Sequence, residues 1–448
     1  MKKLTIFNSL GNKLEEFKPI IPGKASIYCC GPTVYNDPHI GNFRPVIVFD
    51  VLRRTLKRLG YDVKFVSNYT DVDDKIIKRA KELGITEKEL TTSVIAEYRR
   101  LVTEVGSMQP DETPTPTVYM PQILEYVEDL VKSGAAYAVD GDVYLKVTDV
   151  PNYGELSGNS VEDLESGARI NINEKKKDPI DFALWKETDE GIKWTSAWGE
   201  GRPGWHTECC VMINSIFKDQ GGLIDIHGGG FDLKFPHHEN EMAQAKAHNH
   251  NKLANYWMHN GFINVDNEKM SKSLGNVILM KDVVEKYGGI PFRMMILAAH
   301  YRAPASFSEE TIKEAQKKYQ QLVQSTKMVG VQLQLEGVDI DKLAKPEENK
   351  VLDALCEDLN TPNALTALYE QNKDLNMVFR TRPIDIEKLK SAYSLVVDSC
   401  EMLGITLNVP HLNDEDKALY KEYNDAKANK DFAKSDEIRG KLIERGVF

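Results

Sequence analysis

Two short segments about 230 residues apart, Pro38-His39-Ile40-Gly41-Asn42 and Lys269-Met270-Ser271-Lys272-Ser273, constrain this chain more than any other feature. The first lies between an apolar, strand-like run, Ala25 to Cys30, and an amphipathic stretch, Arg44 to Leu59, with Val46, Phe49, Leu52, Leu56 and Leu59 at helical spacing. That order predicts strand, tight turn, helix. A helix start presents unpaired N–H groups and a partial positive charge, so a triphosphate can dock there; Gly41 lets the backbone come close and His39 adds a donor. The second segment places two ammonium groups, Lys269 and Lys272, in a loop between Gly261 and Gly275, suited to charge that develops during displacement at phosphorus. Either segment alone is commonplace, since a lysine-rich loop is usually a solvated surface. Together, in this order, they imply ATP-dependent chemistry at phosphorus.

The surrounding pattern predicts an α/β protein with a doubly wound parallel sheet, a small insertion and a C-terminal helical bundle. Strand-like runs (Ile27 to Cys30, Val63 to Ser67) alternate with helix-like ones (Asp74 to Leu83, Glu87 to Leu101). The proline-punctuated stretch Pro110 to Pro116 ends this first half, expected at residues 1–115. A helix from Met120 to Lys132 and a run rich in Gly, Asp and Asn then read as an insertion, 116–175. The α/β pattern is expected to resume over 176–265, followed by the lysine-loop region, 266–309. Beyond it, Ile312, Ala315, Tyr319 and Leu322 begin a helical bundle over 310–448.

With 448 residues the chain can bury a sizeable core. It has no signal-length apolar N-terminus and no window long enough to span a membrane, so a cytoplasmic protein without a membrane partner is expected, as a monomer. Six cysteines in a chain this long fit a reduced compartment better than a disulfide framework. The net charge of −11, from 57 basic and 68 acidic residues, argues against general nucleic-acid affinity. A polynucleotide partner would need local patches, such as Arg53-Arg54-Lys57-Arg58 or Lys175-Lys176-Lys177.

Cys30, Cys209, His237 and Glu241 have the right atoms for one tetrahedral zinc, although they are scattered along the chain. A helix starting near Pro236 puts positions 237 and 241 on one face and His238 about 100° away. Adjacent residues on a strand face opposite ways, so only one of Cys29 and Cys30, and likewise one of Cys209 and Cys210, can reach the same metal. The competing reading keeps the cysteines as small core residues and lets the His-Glu pair cap a helix. A zinc-protease motif is absent, because Met242 stands where His238-Glu239 would need a second histidine.

These residues have reached a family. The chain resembles the cysteinyl-tRNA synthetases, class I aminoacyl-tRNA synthetases with a Rossmann-like catalytic domain, from about Ile27 to Arg439. The resemblance is carried by Cys30 to Tyr35, Asn68 to Lys75, Gly204 to Cys209, Asp225 to Gly230, the His237 to Glu241 run and the lysine loop. It implies ligation of L-cysteine to tRNA(Cys) through a cysteinyl-adenylate, with ATP and Mg²⁺ and one zinc held by Cys30, Cys209, His237 and Glu241. It further implies that Thr70 and Trp205 shape the amino-acid pocket, that His39, Gly41, Asn42, Gly230, Asp232, Lys269 and Lys272 serve the ATP site, and that the helical region meets tRNA.

Three departures accompany the resemblance. Asn42 stands where the signature usually has a second histidine; it can donate a hydrogen bond but carries no charge. The chain stops at Phe448 where relatives commonly continue with a short tail. Cys29 and Cys210 match no role and default to core packing. Competing readings are a ligase joining cysteine to an amino sugar, which would not need the long helical region, an RNA-binding paralogue, which would have lost part of the signature, and a zinc hydrolase, which would need an open coordination position.

Overall fold

The computed structural model describes residues 2–159, 175–266, 268–270 and 275–448, with the backbone alone at Lys269. An N-terminal hairpin, β1 (Thr5–Asn8) and β2 (Lys13–Glu16), precedes β3 (Lys24–Cys29). The expected strand, turn and helix follow: β3 ends beside residues 30–39 and α1 (Ile40–Arg58) begins at the signature. Next come β4 (Asp62–Ser67), α2 (Asp74–Leu83) and α3 (Glu87–Glu104). With β10 (Ile224–Gly230) and β11 (Ala254–Asn260), strands β3 and β4 form a parallel sheet in the order β11-β10-β3-β4. The chain leaves β3 towards β4 and leaves β10 towards β11, so the carboxyl ends of the two central strands part and open a crevice.

Both faces of this sheet are buried, which is why β3 is apolar from Ala25 to Cys29 except for Ser26, whose hydroxyl donates to Asp225 at 2.8 Å. Ala25, Ile27 and Cys29 enter one core, whereas Tyr28 and Cys30 enter the other. The alternation predicted for Cys29 and Cys30 is therefore realised. Cys209 and Cys210 are separated differently. They lie in α5 (Trp205–Ile216), not on a strand, and successive helical residues diverge by about 100°.

The insertion is larger than the sequence suggested. After α4 (Met120–Lys132), strands β5 (Ala136–Val139), β6 (Asp142–Leu145), β7 (Phe182–Glu187), β8 (Trp194–Ser196) and β9 (Gly199–Pro203) form an antiparallel sheet in the order β5-β6-β7-β9-β8. Because Leu145 pairs with Phe182, β7 to β9 belong to the insertion. The parallel layer resumes with α5 and β10, not at residue 176. A period of two looks the same whichever sheet a strand joins, so the sequence could not allocate β7.

The second half continues with α6 (Glu239–Asn249), the β12 (Ile263–Val265) and β13 (Glu268–Lys269) hairpin, α7 (Met280–Tyr287), α8 (Gly289–Leu297) and β14 (Ala305–Phe307). Strand β12 pairs with β13 and β14 in a small separate sheet. The helical region comprises α9 (Glu309–Leu335), α10 (Lys350–Cys356), α11 (Thr361–Arg380), α12 (Ile386–Met402), α13 (Asp414–Ala428) and α14 (Phe432–Glu444). Helices α9 to α12 are not a separate lobe: Leu322, Leu355, Leu368 and Val396 share one core with Ile47, Val51 and Leu52 of α1. Only α13 and α14 build a small core of their own, from Leu412, Ile438, Leu442 and Val447 against Val331.

Ion pairs reinforce this junction. Arg58 of α1 binds Asp398 of α12 at 3.0 Å, and the fully buried Arg293 of α8 binds Asp50 of α1 at 2.5 Å. Arg53 pairs with Asp111 and Arg54 with Asp50. The three arginines of the Arg53-Arg54-Lys57-Arg58 run are thus engaged inside the protein and do not form a polynucleotide patch. Among the described residues no helix is long and apolar enough to cross a membrane.

Gly31, just past β3, has no room for a side chain, since a Cβ would lie 1.6 Å from the Asn68 carbonyl oxygen. Gly31→Ala should force the ends of β3 and β4 apart and cost about 3 kcal/mol or more. Gly23→Ala, at φ +77 in open space, should cost only about 1 kcal/mol. Urea unfolding of the two variants checks the contrast.

Candidate active site and metal centre

A cavity of about 530 Å³ opens at the carboxyl ends of β3 and β10. Its wall includes His39, Gly41 and Asn42 from the start of α1, and Gly230 and Asp232 just after β10. His39 is the extended N-cap residue of α1, and its N–H donates to Asn42 Oδ1 at 3.0 Å. The asparagine thus closes a capping box with its oxygen, while its NH₂ group is the end able to donate to a ligand. A Cβ on Gly230 would lie 2.5 Å from Asp232 Oδ1, so a larger residue there would displace the Asp232 carboxylate.

The two signature segments meet at this helix start. Ile40 N–H donates to the Ile278 carbonyl at 3.0 Å and Met280 N–H to that of Pro38 at 2.9 Å, stitching the return of the lysine loop to the beginning of α1. Met270 lines the same cavity, and a Cβ on Gly41 would lie 2.9 Å from its Cε. Lys269 pairs through its backbone with Asn264 of β12, whereas Lys272 lies outside the described residues.

Deeper in the crevice a buried cluster is assembled from three segments. Cys30 follows β3, Cys209 lies on α5, and His237 and Glu241 flank the start of α6. Cys30 Sγ is 3.6 Å from Cys209 Sγ and 3.7 Å from Glu241 Oε1, while His237 Nε2 is 2.7 Å from the same Oε1. The contacts to sulfur match the roughly 3.5–3.8 Å edge of a tetrahedron around zinc. The His237–Glu241 contact has the length of a charged hydrogen bond. The i,i+4 placement expected for His237 and Glu241 is present, with a π-type turn at 234–238 leading into α6.

Glu241 and Cys30 also belong to a second possible quartet, completed by His227 and His238. His227 Nε2 lies 2.5 Å from Glu241 Oε2, and its Nδ1 faces the Tyr28 carbonyl at 3.0 Å. His238 Nε2 lies 3.4 Å from Cys30 Sγ, with Nδ1 continuing to His259 and then Ser9 at 2.8 Å each. The helical-wheel argument that placed His238 away from the metal did not anticipate this, because the helix proper begins only at Glu239. The first quartet is the one beside the cavity: Trp205 lines it, is 42 % exposed and packs at a tilt against His237 with ring centroids 4.4 Å apart.

The cluster is charged. Burial opposes ionisation of Glu241, yet His227 and His237 hold its carboxyl well below the usual range. Burial likewise opposes protonation of His237, but Glu241 and Cys209 raise it to about 10. The Cys30 thiol beside it, with His237, lowers Cys209 to about 6 against burial, whereas burial and Cys209 push Cys30 well up. The carboxyl and the Cys209 thiol are thus both drawn towards their anionic forms around His237, a donor set that favours a cation.

The chain matches the family description "tRNA synthetases class I (C) catalytic domain" over residues 16–317 and "DALR domain" over residues 350–408. It is 44% identical over 443 residues to the cysteine–tRNA ligase of Acholeplasma laidlawii, covering 99% of each chain. It is also 43% identical over 458 residues to that of Staphylococcus aureus MRSA252, covering 99% of this chain and 97% of the other. The chain belongs to the cysteine–tRNA ligase family. Its fold is shared by solved class I synthetases: methionyl-tRNA synthetase of Mycobacterium tuberculosis bound by methionyl-adenylate (TM-score 0.61, 13% identity, 92% of this chain and 96% of that one) and Agrobacterium radiobacter leucyl-tRNA synthetase in a ternary complex (TM-score 0.61, 11% identity, 89% and 88%).

Within this cysteine–tRNA ligase, the residues singled out from sequence fall into two groups. His39, Gly41, Asn42, Cys30, Trp205, Gly230 and Asp232 line the cavity. Cys209, His237 and Glu241 lie buried behind it, and Thr70 is 2 % exposed, its hydroxyl 3.3 Å from Glu208 Oε2. Cys29 packs in the core, and Cys210 packs against Tyr126, whose hydroxyl is 3.2 Å from its Sγ. Sequence reasoning missed Glu208, His227 and His259. The first two sat inside quoted family segments, but nothing in their spacing marked them as neighbours of the cluster.

His259 is held neutral, its pKa lowered to about 3 by burial. Unfolded, it takes a proton below about pH 6.5, so its contribution is full above that pH and is lost as pH falls towards 3. His259→Asn should remove about 2 kcal/mol of the stability lost between pH 7 and pH 5. Thermal unfolding of the variant at the two pH values measures this.

Proposed function

We propose that this cysteine–tRNA ligase works in two steps. The carboxylate of bound L-cysteine attacks the α-phosphorus of ATP, forming cysteinyl-adenylate and expelling pyrophosphate. A hydroxyl of the terminal adenosine of tRNA(Cys) then attacks the mixed anhydride, and AMP leaves. The reading is carried by one observation: a helix start suited to phosphate and a buried thiol-imidazole-carboxylate cluster converge on a single cavity.

At the phosphate end, the positive end of α1, His39 and the Asn42 amide bind ATP oxygens, with Gly41 and Gly230 admitting the nucleotide and Asp232 flanking it. Lys269 and Lys272 neutralise charge passing to the pyrophosphate, with Mg²⁺ accompanying ATP. No side chain here is an obvious nucleophile, so catalysis is positioning and electrostatics. Cys30, Cys209, His237 and Glu241 would hold one zinc, whose chemistry is to bind a thiolate far better than a hydroxyl. Shape alone separates cysteine from serine by only about 10- to 200-fold, so such a centre would make editing unnecessary. Trp205 closes the amino-acid end and Thr70 braces it through Glu208. The helical region receives the tRNA, and the enzyme acts in the cytoplasm.

Cysteine-dependent exchange of pyrophosphate into ATP should proceed without tRNA, and activity with serine instead of cysteine would overturn the assignment. Elemental analysis should give one zinc per chain, lost in Cys209→Ser and His237→Ala along with at least about 100-fold in cysteine kcat/KM. If those variants kept their zinc while His227→Ala and His238→Ala lost it, the second quartet would be the metal site.

A further inference from the structure

The turn at residues 300–303 is gripped from two sides by buried polar groups that the chemistry above does not use. On one side is Arg44, two residues beyond Asn42 in α1 and 1 % exposed. Its guanidinium donates to the carbonyls of Phe262 and Ala303, and at 3.2 Å each to those of His300 and Tyr301. All four acceptors are backbone, and they belong to two separate segments. A planar fork with five donors can tie such a set together, whereas a lysine cannot.

On the other side is Asp358, in the corner between α10 and α11. Its carboxylate accepts from Phe7 N–H at 2.7 Å, Tyr301 O–H at 2.6 Å and Arg302 Nε at 2.8 Å. Its carbonyl accepts from His300 Nε2 at 2.9 Å. Asp358 and Leu359 both adopt left-handed backbone, with φ of 56° and 49°. Two successive residues with side chains avoid that region unless contacts impose it. The grip therefore joins the helical region, the N-terminal strand and the 300–303 turn at one carboxylate.

The turn in turn seats the lysine-loop hairpin. Gly261 N–H donates to the Tyr301 carbonyl at 2.8 Å, and Ala305 N–H donates to that of Phe262 at 2.9 Å. From there β12 pairs with β14 on one edge and with β13, which ends at Lys269, on the other. Met270 follows and lies over Gly41.

We propose that Arg44 and Asp358 are positioning residues: by clamping residues 300–303 between them, they set where β12 and β13 hold Met270 over the start of α1. The helical region and the phosphate end of the cavity are thereby coupled through four consecutive residues. The kinetic part of this inference rests on the role proposed above for the lysines; the structural part does not.

The test uses the full-length protein with Arg44→Met, Arg44→Lys, Asp358→Asn and the double variant Arg44→Lys/Asp358→Asn. Cysteine-dependent pyrophosphate exchange is measured per active site, with sites counted by single-turnover adenylate formation so that unfolded protein drops out. Hydrogen exchange of backbone amides in 262–270 is followed in parallel. We expect kcat per site to fall at least about tenfold in each single variant, with ATP KM within about twofold, no rescue by lysine at position 44, and a double variant no worse than its worse parent. Faster exchange at 262–270 should accompany each, with α14 unchanged. An unaltered kcat per site, multiplicative effects, or unaltered exchange at 262–270 would overturn the inference; if Arg44→Met does not fold, Arg44→Lys and Asp358→Asn decide it. Faster exchange at 262–270 in an enzyme whose wild type shows no cysteine-dependent turnover would instead refute the proposed function and leave the clamp standing.

Discussion

Everything in the crevice depends on how closely α1 lies on the end of β10, and the spacing is set by one glycine, Gly228. A Cβ at Gly228 would sit 2.2 Å from the Phe49 ring and 2.5 Å from the Met258 carbonyl oxygen, and one at Gly229 would sit 2.8 Å from Leu233. With no side chain at Gly228, Phe49 packs onto the strand itself. The first turn of α1 then projects past the sheet towards Met270 and Trp205, which line the same cavity. A larger residue at position 228 would lift the helix and separate the phosphate end from the thiol cluster.

Burying Glu241 and His237 at 0 % and 2 % exposure is costly unless each charge meets an opposite one. The protein meets that demand by bringing acid, base and thiols from segments as far apart as residues 30 and 241 into mutual contact. The surrounding imidazoles, His227 on Glu241 and His238 on Cys30, complete the hydrogen bonding. Such an arrangement holds its donor atoms in fixed directions, which a ligand-binding centre needs and a merely stable core does not.

The helical region is continuous with the catalytic part through one apolar core and through Arg58–Asp398 and Arg293–Asp50. Charges on α1 that a sequence reader would assign to the surface instead hold α8 and α12. Segments distant in sequence therefore share a rigid seam, while α13 and α14, with their own small core, depend on it least.

The sequence by itself determined the elements whose signals are local. The strand, turn and helix around the signature, the opposite facing of Cys29 and Cys30, and the His237–Glu241 pair all follow from periods of two and 3.6 residues that need no knowledge of neighbours. Family resemblance added the four-residue donor set, which spacing alone left open. Tertiary structure decided the rest. Whether β7 to β9 extend the parallel sheet or the insertion depends on pairing partners, which a strand's own pattern does not encode. Cys209 and Cys210 are sorted by helical geometry and not by alternation, because α5 runs into the crevice where a strand was assumed. His227, His238, Arg44 and Asp358 carry no periodic mark at all: their surroundings consist of atoms from other segments, and long-range contacts exist only once the chain has closed on itself.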